Sequence, residues 1–196
     1  MFLAGWSVMI VATLVPTTLP LLAALRRVVA RRPRPAVLTG ATVAGFVGVW
    51  VAFGYVAWVG DTFVHAAVDA APWLAERPHA ILAATLAGAA AYQFSSLKRR
   101  CLTLCRSPNA LVIQHWGAGG PAWRGAARIG VEHGKACLGC CWPMMLVMFA
   151  VGLGSLAWML VLALAMGVEK QAPRGDALSR PLGVALLVAA ALVAVG

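Results

Sequence analysis

The sequence predicts an all-α protein: a polytopic membrane helix bundle of about five transmembrane helices plus a short cytoplasmic interfacial helix. Three observations lead there. Hydrophobic residues occupy 62% of the 196 positions, against roughly 45–50% in an ordinary soluble domain. Charged residues make up 11%, against about 25%, and the mean hydropathy is +0.85. The apolar residues also fall in runs near the roughly 20 needed to cross a hydrocarbon core. So few charges cannot coat a water-soluble globule, and so much apolar side chain excludes a disordered chain.

The five expected spans follow in order as a single membrane domain, 1–196. Run one, 2–25, is uncharged and would be kinked by Pro16 and Pro20. Its arginines follow it instead of preceding it, which argues against a cleaved signal peptide. Run two, 36–60, is uncharged and ends near Gly54, Tyr55 and Trp58. Run three, 79–97, is short and carries Gln93, a polar group expected to bond a neighbouring helix. Run four, 142–168, ends beside the adjacent charges Glu169 and Lys170, read here as interfacial. Run five, 182–195, is the shortest. Many glycines and alanines suit close helix packing in a bilayer.

The formal charge of +10 is unevenly placed. Arg26, Arg27, Arg31, Arg32 and Arg34 separate runs one and two. Lys98, Arg99, Arg100, Arg106, Arg124, Arg128 and Lys135 separate runs three and four. The excess of positive charge on one side makes that side cytoplasmic. This predicts a multi-pass protein of a bacterial inner (cytoplasmic) membrane with its N-terminus outside. The basic residues then report topology and attraction to membrane lipid. No motif or soluble domain supports nucleic-acid binding.

All five cysteines lie within a cytoplasmic Cys/Gly-rich segment, 98–141. They form Cys101-x3-Cys105 and Cys137-x2-Cys140-Cys141. Thiols in that compartment stay reduced, and clustered reduced thiols point to metal binding or redox exchange. Cys101 and Cys105 share a helical face. His133, Cys137, Cys141, Met144 and Met148 form a second stripe, with Cys140 beside it. Imidazole, thiol and thioether are soft ligands that favour Cu(I), with Zn(II) the alternative for the Cys/His part. Pro143 favours a helix start near Cys140–Pro143, since proline is best placed in a first turn. The cysteines would then gain from the helix dipole, which favours thiolates.

The rest of the segment, from Ser107, contains Pro108, Pro121 and the glycines Gly117, Gly119, Gly120, Gly125, Gly130 and Gly134. It reads as a loop followed by an amphipathic helix, about Ala122 to Lys135, with Trp116 and Trp123 suited to the interface. Gly130 and Gly134, four apart, would let a neighbouring helix approach closely. On the other side, Asp61, His65 and Asp69 would share a face if run two continued past Gly60; a solvated face explains them better than a metal site. No catalytic constellation emerges, so a non-enzyme is expected ahead of an enzyme, and the question stays open.

These residues resemble a bacterial family of predicted metal-binding integral membrane proteins, a domain of unknown function sometimes labelled copper chaperone-like. The resemblance spans about positions 5 to 185. Its most specific part is His133-Gly134-Lys135-Ala136-Cys137-Leu138-Gly139-Cys140-Cys141-Trp142, with Met144-Met145 just beyond. The second part is Tyr92-Gln93-Phe94-Ser95-Ser96-Leu97-Lys98-Arg99-Arg100-Cys101, then Cys105-Arg106-Ser107-Pro108. Gly54-Tyr55, Trp58, Trp158-Met159 and Glu169-Lys170 also match. The chain departs at Ala12-Thr13-Leu14-Val15-Pro16, where the family has paired methionines, and at Ser96, where proline is usual. The family also commonly carries one more hydrophobic segment upstream.

The leading expectation is therefore a membrane protein that handles a soft metal, Cu(I) before Zn(II), at its cytoplasmic boundary. The expected ligands are Cys137, Cys140 and Cys141, completed by His133, Cys101 or Cys105, with Met144 and Met145 behind them. Its partner would be a metalloprotein or a soluble metal carrier. The alternatives are a membrane thiol–disulfide oxidoreductase and a non-catalytic subunit of a membrane complex.

Overall fold

The computed structural model describes Trp6, Ile10, Leu14 and residues 16–71, 76–116, 121–151 and 156–195. Among these the chain forms eight α-helices, two 3₁₀ turns and no strand. The helices are α1 Leu19–Val29, α2 Pro35–Ala70, α3 Pro78–Gln93, α4 Ser96–Cys105, α5 Pro108–His115, α6 Ala122–Val151, α7 Leu156–Gln171 and α8 Ser179–Val195. Pro35, Pro78 and Pro108 each open a helix, where the missing N–H costs nothing and the fixed φ already suits the helix.

The end of run one and the first basic residues after it belong to one helix. Pro16–Thr18 is a 3₁₀ turn, and α1 starts only at Leu19, carrying Arg26 and Arg27 in its last turn. Basic groups there complement the helix dipole. Apart from Trp6, Ile10 and Leu14, the rest of run one, with the Ala12–Val15 departure, lies outside the described residues. Run two is longer than expected, since α2 continues through Gly60 to Ala70 over 36 residues. Run three breaks: α3 ends at Gln93, and α4 leaves it at a bend of 69°. The Ser95 hydroxyl accepts the Lys98 N–H at 3.1 Å, the bond of an N-cap serine to the third residue of its helix.

The segment read as loop contains the helix α5; residues 117–120, with Gly117, Gly119 and Gly120, lie outside the described residues. Beyond it the expected interfacial helix and the start of run four are one helix, α6, with Pro143 inside it. The helix start expected at Cys140–Pro143 is thus corrected. An interior proline costs about 3 kcal/mol. Cys141, Met144, Met145, Val147 and Met148 are all buried around it, and each large apolar side chain so buried returns roughly 1.5–3 kcal/mol. Packing on both sides of the proline therefore outweighs the break. The middle of run four, 152–155, lies outside the described residues.

By length and composition two described segments are able to cross a membrane, Pro35–Ala70 and Gly175–Val195. The bent pair α3–α4 makes a third if counted as one span. About five crossings is therefore more than the described helices supply.

The chain divides into two compact units, 1–55 with 100–140 and 56–99 with 141–196. In the first, Leu21, Leu25 and Val29 of α1 meet Leu38, Val112, Ala126 and Ile129. Here α2 and α6 touch backbone to backbone. A β-carbon on Gly130 would overlap the Thr42 carbonyl, and one on Gly134 would stand 3.0 Å from Val49. The Thr42 hydroxyl donates to the Ala126 carbonyl at 2.9 Å in the same crossing. The close approach expected of Gly130 and Gly134 is thus present. The Trp6 indole donates to the Trp50 carbonyl at 2.9 Å and lies over Gly54. In the second unit α3 packs on α8, where Gly183 faces the Phe94 ring and the Gln93 side chain.

Candidate metal site

The two cysteine stretches meet within the first unit. Cys101 and Cys105 stand one turn apart on α4, and Cys137 and Cys140 stand one turn apart on α6. The Cys105 side chain faces those of both Cys137 and Cys140 within interaction distance. The Cys140 thiol also donates to the Cys137 carbonyl at 3.0 Å. Cys101 lies near enough to Cys140 to interact with it electrostatically. Its sulfur occupies the space above Gly139, where an added β-carbon would come within 2.5 Å of it. Gly139 is therefore a cradle for the Cys101 thiol. Cys105, Cys137 and Cys140 are buried, Cys101 partly so, and all five cysteines are free thiols.

The sulfurs of Cys137 and Cys140 lie in the interior of α6, 15 or more residues beyond its first residue, Ala122, and that of Cys105 lies at the C-terminal end of α4. The expected help from a helix dipole does not reach them, since that effect fades within the first turn. Among the described residues no group of three or more His, Cys, Asp or Glu side chains stands in metal-holding geometry. What the site has is thiol against thiol. Such sulfur–hydrogen contacts are replaced when a soft cation takes the sulfurs and the protons leave.

The other expected ligands make contacts of their own. Cys141 faces Lys170, whose Nζ is 3.8 Å from its sulfur, inside the second unit. Met144 and Met145 belong to that unit as well and are buried. His133 is buried in the first unit with its ring 5.7 Å from that of Phe46. Asp61 and His65 form an exposed pair at 3.6 Å along α2, the solvated face expected of them.

The structure also reveals a site that sequence reading missed. Lys98 is only 1% exposed and Glu169 only 2%. The Lys98 ammonium donates to both carboxylate oxygens of Glu169, at 2.8 and 2.9 Å, and to the Gln93 side-chain carbonyl. The Ser179 hydroxyl donates to Glu169 at 2.8 Å. Residues of α3, α7, α8 and the first turn of α4, all within the second unit, are thus tied at one polar point. Sequence reading placed Lys98 among loop basics and Glu169 at an interface. The usable signal was Gln93, correctly expected to bond a neighbouring helix, together with Glu169 as the lone acid between Glu132 and Asp176.

Comparison with curated proteins gives no match, and neither does comparison with solved structures. A family model described as PpoB2, copper chaperone, matches residues 3–193. The match runs through both cysteine stretches and covers nearly all of a helical chain whose thiols converge, and on that ground the chain belongs to the PpoB2 copper chaperone family.

Proposed function

We propose that this protein carries copper(I) as cargo on the thiols of Cys105, Cys137 and Cys140, with Cys101 as the fourth sulfur, and delivers it to a protein acceptor. The observation that carries this reading is the contact of one α4 thiol, Cys105, with two α6 thiols. A set of sulfurs without a carboxylate suits a soft monovalent ion better than a hard one. Zn(II) is the competing cargo. Family membership supports copper.

The protein acts from within a bacterial inner membrane, with its arginine-rich segments on the cytoplasmic face, where thiols stay reduced. Two apolar helices of sufficient length support that seat. The acceptor is a metalloprotein or a soluble metal carrier. Exchange would proceed sulfur by sulfur, each ligand thiol releasing its proton as copper arrives and regaining it as copper leaves.

The test is elemental analysis of full-length protein purified anaerobically in detergent, with and without prior thiol alkylation. Near one equivalent of copper, lost on alkylation and in Cys105→Ser, is expected. Protein that folds, carries no copper and refuses added Cu(I) overturns the reading. Recovery as a Cys105 disulfide with Cys137 or Cys140 that a substrate thiol opens to a mixed disulfide, releasing the other cysteine as thiolate, would replace it with thiol–disulfide exchange.

A further inference from the structure

Five arginines crowd the turn between α1 and α2: Arg26, Arg27, Arg31, Arg32 and Arg34, all exposed. Among the described residues none of them is paired with a carboxylate. Within the same crook lies a cavity of about 480 Å³, lined by Arg26, Val29, Ala30, Pro35, Ala36 and Thr39. Its wall is one guanidinium, one hydroxyl and otherwise apolar side chains. The Thr39 hydroxyl is spent on the Pro35 carbonyl at 3.0 Å, which leaves Arg26 as the polar contact the wall offers.

Arg34 adds an independent point. Its φ is +55°, and among the described residues it is the non-glycine with positive φ. Glycine takes that conformation freely, and a side chain there is unfavourable. The Arg34 side chain stands exposed there, as do those of the other four arginines.

We infer that this crook is a binding site for one anionic phospholipid, its phosphate held by the arginines and its glycerol and upper acyl carbons in the cavity. A free anion would use the charges and leave the apolar wall without purpose. A zwitterionic lipid would fill the wall but bring no net charge to match five guanidinium groups. The position fits as well. The crook closes the N-terminal end of α2, one of the two segments long and apolar enough to cross a bilayer, so the arginines fall where headgroups would lie. The inference rests on the membrane seat proposed above. It does not depend on copper.

Full-length protein in detergent is mixed with phosphatidylglycerol, phosphatidylcholine or inorganic phosphate, and bound lipid is read by native mass spectrometry alongside thermal unfolding. Phosphatidylglycerol is expected to be retained and to raise the unfolding temperature, while the other two do neither. Removing an arginine near an anionic surface weakens attraction about fivefold. The variant R26Q/R31Q/R32Q/R34Q is therefore expected to lose more than tenfold in phosphatidylglycerol affinity while keeping the parent helix content. Ala36→Trp, which fills the cavity and keeps every arginine, is expected to lose the lipid too.

Equal retention of the two lipids overturns the site, as does an unaltered affinity in either variant. Competition by inorganic phosphate alone reassigns it to a free anion. Extraction of native membranes with alkaline carbonate keeps the two readings apart. A protein that stays in the bilayer yet shows no lipid preference defeats only the lipid site, and a protein that washes off defeats the membrane seat.

Discussion

Replacing Glu169 by alanine should be the most damaging single truncation in the second unit. In the parent, three acceptor atoms surround the Lys98 ammonium: the Gln93 carbonyl and both oxygens of Glu169. Alanine leaves one. It also strips the Ser179 hydroxyl of the acceptor it holds at 2.8 Å. The ammonium is 1% exposed, so water cannot replace what is lost. Breaking a buried pair from one side costs about 3–5 kcal/mol. For a chain of this size each kcal/mol lowers Tm by roughly 2–4 °C, so a fall on the order of 10 °C is expected. Lys98→Met should cost a similar amount, because it leaves Glu169 buried with Ser179 as its hydrogen-bond donor from this group of four. The two together should cost far less than their sum, since an apolar pair of similar volume often replaces a buried ion pair at little cost. Thermal unfolding of detergent-purified protein, followed by far-ultraviolet circular dichroism and tryptophan fluorescence, measures all three. Single variants within about 1 kcal/mol of the parent, or a double variant that simply adds, would refute the reasoning.

Other positions give sharper local tests. Gly130→Ala places a methyl group into the Thr42 carbonyl and should destabilise by about 1–3 kcal/mol or more. Gly48→Ala on the same pair's helix α2 meets nothing within 4 Å and should stabilise by about 0.5–1 kcal/mol; chemical denaturation compares them. Gly139→Ala removes no sulfur but pushes on Cys101, so copper affinity should fall while the free-thiol count in unfolded protein stays at five. Cys140→Ser should cost copper stoichiometry, whereas Cys141→Ser should keep it, because Cys141 faces Lys170; elemental analysis of the two purified variants decides.

How much of this was legible before any coordinates depends on which residues carried the information. The Gly130–Gly134 spacing foretold a close crossing because a missing β-carbon acts through geometry that a single helix already defines. Cys101 and Cys105 foretold a shared face for the same reason. The partner face was harder. The four-residue spacing grouped Cys137 with His133 and Cys141, yet it is Cys137 and Cys140, three apart, that meet Cys105. Spacing along one helix restricts which side chains point together; it does not say where a second helix will come to rest. Pro143 misled for an energetic reason. Its penalty is local and visible, while the burial that offsets it comes from residues distributed along a neighbouring surface. The break at Phe94–Ser95 escaped because Ser95 reads as one more position of the hydrophobic run 79–97 until its hydroxyl is seen to cap α4.

Lysine and arginine divide in a way that composition alone conceals. Every arginine is exposed or half-exposed, as is Lys135, whereas Lys98 and Lys170 are buried. Arginine is the commoner choice for a buried ion pair, because its planar fork matches a carboxylate with two parallel bonds. The knot at Glu169 calls for something else. Its acceptors come from Glu169 on α7 and from Gln93 at the end of α3, on separate helices. A compact ammonium with three rotatable donors can serve both. A guanidinium would bring five donors in one plane to a site with three acceptor atoms, leaving buried N–H groups unmatched at about 1–3 kcal/mol each. Lys98→Arg keeps the charge, so a purely Coulombic role for Lys98 predicts little change. The hydrogen-bond geometry predicts a loss of about 2 kcal/mol or more, with Glu169→Asp no better because it shortens the reach to Ser179. An arginine variant as stable as the parent would show that charge alone holds the knot, and the separation of lysine from arginine along this chain would then need another cause.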